Sequence, residues 1–396
     1  MRSGRCCGIV CLLLLVGCAP FRPSLVPAPH NESDSVPAAP SIPKAAASHQ
    51  FVLTQDTVVG VLQMTWAGAD DTLPDIARRF NVGFDELTLA NPTMDPWSPG
   101  LGHEVILPTQ FVLPDAPHEG VVINVATMRL FYYPKHVAGS PPIVITHPIG
   151  IGRVGWRTPE GLTRITAREK DPVWIPPVSV RREHLEDGER LPARVPAGPD
   201  NPLGNRLFRL SWPSYLIHGT NKPYGVGMRS SHGCVRLYPE DIERLYELVP
   251  IGTTVRIVNQ PILLGWQGDT LLLQAYDALE DDHRKGVQDL SALRKKITHA
   301  ALSGHPPVDA QIVDWGLAQT LLQAPRAVPV DILKKDQATL LTTLSSAHQV
   351  LNTLPVGATW VQGEASGADE KQYQEMLDDR EALPVSTGAA SPARKH

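Results

Sequence analysis

The chain is poor in cysteine where a disulfide framework would need it. Of its 396 residues five are cysteine, and four of these, Cys6, Cys7, Cys11 and Cys18, sit in the opening "MRSGRCCGIVCLLLLVGCAP". Cys234 is the only cysteine after that opening, so internal disulfides cannot staple the rest of the chain. A membrane-crossing run is also missing. The apolar stretch Gly8 to Gly17 is about half of the roughly 20 residues a spanning helix needs, and no other segment is apolar enough. Basic runs are absent and the net charge is −5, which argues against nucleic acid as a partner. There is no internal repeat. No His-x-x-x-His pair marks a metal site, and no cofactor is expected.

The opening has a positive region, Arg2 and Arg5, followed by a short apolar run, the pattern of a secretory signal peptide over 1–18. Its end, "LVGC", resembles a bacterial lipobox. That resemblance implies cleavage before Cys18 and lipidation of its thiol. The expected location is periplasmic, lipid-anchored to the envelope, with Ala19 favouring the outer membrane. Cys6, Cys7 and Cys11 would then be removed, leaving Cys234 as the sole free thiol in an oxidising compartment. A left-over cysteine in an exported protein is a candidate reactive thiol.

Pro, at 38 residues, collects in linkers. Residues 19–50 are Pro/Ala/Ser-rich without hydrophobic period and read as a disordered linker. Residues 51–110 read as a small unit. In "DTLPDIARRFNV", Leu73, Ile76, Ala77 and Phe80 fall at helical spacing behind the cap-type residues Asp71 and Thr72. A second short helix is expected in "FDELTLAN" and a strand in "HEVILP". From 119 to 258 the pattern turns to short strands punctuated by Gly and Pro, in "VVINVATMRLFYYP", "PIVITHPIGIG", "LTRITA", "LFRLSW", "YLIHG" and "TTVRIV". This predicts an all-β barrel or sandwich interrupted by one helix, "PEDIERLYELV". Residues 259–353 read as a helical extension of unknown role, on the spacing in "DLSALRKKITHAAL" and "DAQIVDWGLAQTLLQ". Residues 354–396 read as a disordered tail. The expected fold class is therefore multidomain and mainly β, with a partly helical C-terminal extension.

"HGTNKPYGVGMRSSHGCVRLYPED", residues 218–241, concentrates the chemistry. His218 ends a strand-like segment and precedes Cys234 by 16 residues, across a loop containing Gly219, Gly225, Gly227 and Gly233. Glycine permits a tight return and close approach to a substrate. A cysteine nucleophile acts as thiolate, and a neighbouring imidazole can take its proton. His218 and His232 are both candidate bases; in an extended segment His232 and Cys234 point the same way. Backbone N–H groups of such a loop can stabilise developing negative charge on oxygen. These residues leave other readings open: a core cysteine with incidental histidines, a zinc site of His218, His232 and Cys234, a non-catalytic envelope lipoprotein, or a thiol hydrolase.

"HGT" at 218–220 and "SHGCVR" at 231–236 resemble the signature of the L,D-transpeptidases with a YkuD-type catalytic domain. The βααβ pattern of 51–110 resembles a LysM module, although "GADDT" stands where that family usually shows Gly-Asp-Thr. The resemblance implies Cys234 as nucleophile and His218 as general base, oriented by the Gly219 carbonyl. It implies that His232 shapes the site, that the N–H groups of Gly233 and Cys234 form an oxyanion region, and that Ser231 and Arg236 support or contact substrate. Arg236 stands where many members have Asn; members of the Gram-negative envelope type commonly have Arg there, so the resemblance is to that subgroup. The implied reaction attacks the L,D bond between residues 3 and 4 of a peptidoglycan tetrapeptide stem, releases D-alanine and passes the acyl group to an amine. That amine would give a 3→3 cross-link, lipoprotein attachment or D-amino acid exchange. Acylation by carbapenems is implied too, as is glycan contact by the LysM-like unit.

Overall fold

A computed structural model describes residues 49–186, 188–299, 309–334, 339–355, 358 and 360. The expected signal peptide with Cys18, residues 19–48 of the expected linker and the tail from 361 onward lie outside the described residues.

The centre is one nine-stranded sheet. Its order is His49–Val52, Ile143–Pro148, Arg129–Tyr133, Gly120–Asn124, Thr254–Val258, Gly161–Lys170, Arg206–Leu210, Leu216–His218 and Val235–Arg236. Neighbours are antiparallel except at two places. Gly120–Asn124 runs parallel to Thr254–Val258, and Leu216–His218 parallel to Val235–Arg236. Side chains alternate between the two sheet faces. Val121, Ile123, Leu130 and Tyr132 enter one core, while Val122, Phe131, Tyr133 and Val144 enter another on the opposite face. Burial on both faces is why "VVIN" and "RLFYY" are nearly continuous apolar runs. The sheet is curled rather than split into a sandwich. Its last strand is tied back by an antiparallel bridge between Arg236 and Gly150, beyond Ile143–Pro148, which partly closes the curl.

Helix Pro239–Leu248 packs Ile242 and Leu245 into the first core, followed by Val249. Proline at its start and Glu240 and Asp241 in its first turn suit the unsatisfied N–H end of a helix. A second helix, Val178–Glu186, also interrupts the strand series. The sequence did not signal it, because "VSVRREHLE" buries only Val180 and lacks an apolar stripe.

Residues 63–107 form a βααβ unit: strands Gln63–Trp66 and Glu104–Leu107 pair antiparallel around helices Leu73–Arg79 and Phe84–Ala90. Thr72 caps the first helix in a reciprocal capping box with Asp75. Leu73, Ile76, Ala77, Phe84 and Leu87 make its core, but Met228 and Val350 complete it from elsewhere in the chain. Polar contacts join it to the central sheet, Arg129 to Glu86 at 2.6 Å, and to helix Pro239–Leu248, Asn81 to Asp241 at 2.6 and 2.8 Å and Arg78 to Glu240 at 3.0 Å.

Two expected boundaries need correction. His49–Val52 is an edge strand of the central sheet, so neither the linker's end at 50 nor the next unit's start at 51 marks a real division. Four residues are too few to show a period. Residues 259–353 are not simply helical either. Helices occupy Leu290–His299, Trp315–Gln323 and Leu340–Ser345, but strands Ile262–Gln267, Thr270–Ala275 and Val330–Asp331 form a sheet with them. Short apolar runs such as "ILLGW" and "TLLLQA" are ambiguous between strand and helix until a partner strand is known. The end of this extension, His348–Gln349, pairs parallel with Gln63–Trp66 of the βααβ unit.

Candidate active site

Two adjacent short strands bring His218 and Cys234 together. Ile217 is level with Val235, and His218 with Arg236. Cys234, one residue earlier, is therefore level with Leu216. Residues level across a parallel pair share a face, as do residues two apart along a strand. Leu216, His218, Cys234 and Arg236 thus line one face, although 16 residues separate the histidine from the thiol.

The intervening loop is held by its backbone. Phe84 and Asp85 donate their N–H groups to the carbonyls of Val226 and Gly227, at 3.3 and 3.1 Å. Gly227 has φ +85°, and a Cβ there would lie 2.1 Å from Phe84 N. Only glycine allows that approach. The loop returns through strand Arg229–Ser231, parallel to Ile151–Gly152. Arg229 is buried, with Asp281 at 2.9 Å, Glu280 also paired, and its Nε donating to Gly152 O at 3.1 Å.

His218 is 4% exposed, and its Nδ1 lies 2.6 Å from Gly219 O. That carbonyl accepts from Nδ1–H, which leaves Nε2 as the basic nitrogen. Burial, then the Arg236 charge, pushes the imidazole down to about 3 from the ordinary 6.5. Leu237 N–H donates to His218 O at 2.9 Å, so the segment leading into helix Pro239–Leu248 also fixes the histidine. Cys234 is free and partly buried. Burial pushes its thiol up, opposed by the Leu216 backbone hydrogen bond and by Arg236. Both shifts favour the neutral forms, a thiol whose Sγ lies 3.7 Å from Ser214 O and a neutral imidazole. Such a pair moves its proton during attack rather than standing as a preformed ion pair.

Ser231 and Gly233 shape the turn before the thiol. Ser231 Oγ donates to Cys234 O and accepts from Gly233 N–H, the latter at 3.1 Å. Gly233 N–H is engaged within the turn, so it is not free for the expected oxyanion role. Gly233 has φ +99°, so the segment is not extended and the alternation that would aim His232 and Cys234 together does not hold. His232 instead meets helix Val178–Glu186. Its Nε2 lies 2.8 Å from Glu183 Oε2, and Glu183 also pairs with Arg153. Trp156 packs edge-on at 4.9 Å between ring centroids. Despite the Glu183 contact, burial and the charges of Arg153, Arg236 and His184 push His232 down to about 4.

Thr158, Arg153, Glu183 and Trp156 were not anticipated. Thr158 Oγ1 accepts from Gly152 N–H and donates to Gly233 O, both at 3.0 Å, which locks the turn. These residues lie some 50 to 80 positions before the thiol and carry no spacing signal that sequence could reveal. Among the described residues no three His, Cys, Asp or Glu side chains are grouped to hold a metal ion. A cavity of about 410 Å³ lies on the other side of the loop, lined by residues that include Asp85, Gly227, Arg229, Tyr276 and Glu280. Neither Cys234 nor His218 lines it.

A strand-end histidine, a thiol level with the same strand and a glycine turn thus stand together. Residues 118–257 match the YkuD L,D-transpeptidase catalytic domain. The chain is 37% identical over 266 residues to the probable L,D-transpeptidase YcfS of Escherichia coli K12, covering 66% of this chain and 80% of that one. It is 37% identical over 250 residues to YbiS of the same strain, a probable L,D-transpeptidase, covering 62% and 80%. With ErfK/SrfK of Salmonella typhimurium, also a probable L,D-transpeptidase, it shares 42% identity over 198 residues, covering 50% and 62%. The chain belongs to the YkuD L,D-transpeptidase family.

Proposed function

We propose that the protein is a peptidoglycan L,D-transpeptidase with Cys234 as nucleophile and His218 as general base. The observation that carries this reading is the shared strand face of His218 and Cys234, with the imidazole oriented by Gly219 O. Family membership and the relatives' names support the reaction class. In the first step Cys234 Sγ attacks the carbonyl carbon between residues 3 and 4 of a tetrapeptide stem. The thiol proton passes to His218 Nε2, a C–S bond forms, and Cys234 N–H stabilises charge on the carbonyl oxygen. The C–N bond then breaks, and His218 returns the proton to the leaving amine of D-alanine. In the second step an acceptor amine attacks the thioester and gives a proton to His218. The thiolate leaves and is reprotonated.

The acceptor is a diaminopimelate side chain, a lipoprotein lysine or a D-amino acid. Water in the same place would make the protein a thiol hydrolase, using the same residues. The βααβ unit is proposed to contact glycan, and lipidation of Cys18 to hold the chain at the periplasmic face of the outer membrane. The decisive measurement is intact mass after exposure to a carbapenem. A stable adduct is expected on the wild type, none on Cys234→Ala, and slowed formation on His218→Ala. An adduct that survives Cys234→Ala would remove the nucleophile assignment. Muropeptide analysis with purified stems and candidate amines identifies the acceptor, since trimmed stems alone mark a hydrolase.

A further inference from the structure

The other arginines around the thiol each meet a carboxylate: Arg153 meets Glu183, Arg157 meets Glu160, and Arg229 meets Asp281 and Glu280. Arg236 does not. Its backbone is tied to Gly150 by two hydrogen bonds of 2.9 Å, so its position is fixed. Its side chain makes one long contact, Nη1 to Ser230 Oγ at 3.4 Å, and its buried Nε has no partner. Among the described residues no carboxylate lies within ion-pair distance of it. A buried cation without a counter-ion is costly, so a guanidinium kept in this state is suited to pairing with something that arrives.

Its place says what that is. Arg236 lies two residues beyond Cys234 on the same strand face, level with His218. Two strand residues span roughly 7 Å, within reach of an arginine side chain. In a stem that ends one residue past the bond to be broken, the terminal carboxylate carbon lies within roughly 4 Å of the attacked carbonyl carbon. A pose that puts this carbonyl on Cys234 with the leaving residue directed along the strand toward Arg236 brings the carboxylate near its guanidinium. A planar guanidinium matches a carboxylate with two parallel hydrogen bonds.

We propose that Arg236 binds the terminal α-carboxylate of the leaving D-residue and so selects stems that end immediately after the scissile bond. This rests on the transpeptidase reading above. A stem one residue longer places its carboxylate too far along, and an amidated stem offers no anion.

The test compares the full-length protein on two substrates: a tetrapeptide stem with a free C-terminal carboxylate, and the same stem as its C-terminal carboxamide. The readout is kcat/KM for release of D-alanine or D-alaninamide. The wild type is expected to prefer the acid by roughly 10- to 100-fold, the range for loss of a charge-assisted pair. Arg236→Gln should bring that ratio near one, and Arg236→Lys should retain part of it. The ratio separates substrate binding from the effect of the Arg236 charge on the thiol, which would slow both substrates equally. A wild type without preference, or an Arg236→Gln variant that keeps the wild-type ratio, overturns the proposal. Equal turnover of both stems leaves the transpeptidase reading standing, whereas turnover of neither overturns both. The wild-type comparison needs no variant, so misfolding of Arg236→Gln does not remove the test.

Discussion

The two sides of the loop that carries Cys234 differ. On the side facing the βααβ unit and the extension, its groups are paired. Val226 and Gly227 accept from Phe84 and Asp85, Met228 completes a core, and Arg229 meets two carboxylates. On the other side stand a free thiol, a histidine with one ring nitrogen committed to a carbonyl, and an arginine that meets no carboxylate among the described residues. Satisfied groups on one side fix the backbone. That rigidity lets unsatisfied groups on the other side be held ready for a substrate.

Removing Arg229 is the strongest way to break this contrast. Arg229→Leu removes the buried cation that holds Asp281 and Glu280; Asp281 keeps Arg157 at 3.8 Å and Glu280 is partly solvated, so the cost is about 1–3 kcal/mol. Chemical denaturation should show that loss, with carbapenem acylation slowed because the loop has lost its inner support. Unchanged stability would mean that the paired side does not hold the loop. Gly227→Ala attacks the same side more locally. A Cβ at φ +85° and 2.1 Å from Phe84 N forces the loop off the helix start, at a cost of about 1–3 kcal/mol. A lower Tm with slowed acylation is expected. A lower Tm with a normal acylation rate would separate the fold from the positioning of the thiol.

The smallest expected effect is a pH dependence on the open side. His218 and His232 are pushed down to about 3 and about 4 when folded, below the ordinary 6.5. The unfolded chain therefore binds these protons first. Their contribution to stability is present above pH 6.5 and is lost as pH falls through the window toward 4 and 3. His232→Asn should lessen the loss of denaturant stability between pH 6.5 and 4.5 relative to wild type. Parallel pH curves for the two proteins would show that His232 titrates no differently when folded.

How much was legible in the sequence varies with the range of the interaction. Helices Leu73–Arg79, Phe84–Ala90 and Pro239–Leu248 fall within stretches whose spacing and caps announce them. The strands from Gly120 to Val258 announce themselves as short, mostly apolar runs with Gly and Pro between them. His218 and Cys234 stand out because both lie in one glycine-rich stretch. Edge strand His49–Val52, helix Val178–Glu186 and the sheet of the extension did not stand out. Each is short, weakly patterned, or defined by a partner far away in sequence.

The amino-acid sequence alone determined which groups were available: one thiol after the opening, two histidines near it, and glycines able to turn the loop back. Tertiary structure decided what each could do. It paired Leu216–His218 with Val235–Arg236 and so put His218 and Cys234 on one face. It spent the Gly233 N–H on Ser231 and turned His232 toward Glu183. Among the described residues it gave Arg153, Arg157 and Arg229 a carboxylate each, and Arg236 none. The reason is one of range: local spacing sets which way a side chain leaves its own strand or turn, whereas its partners come from segments that only folding brings near.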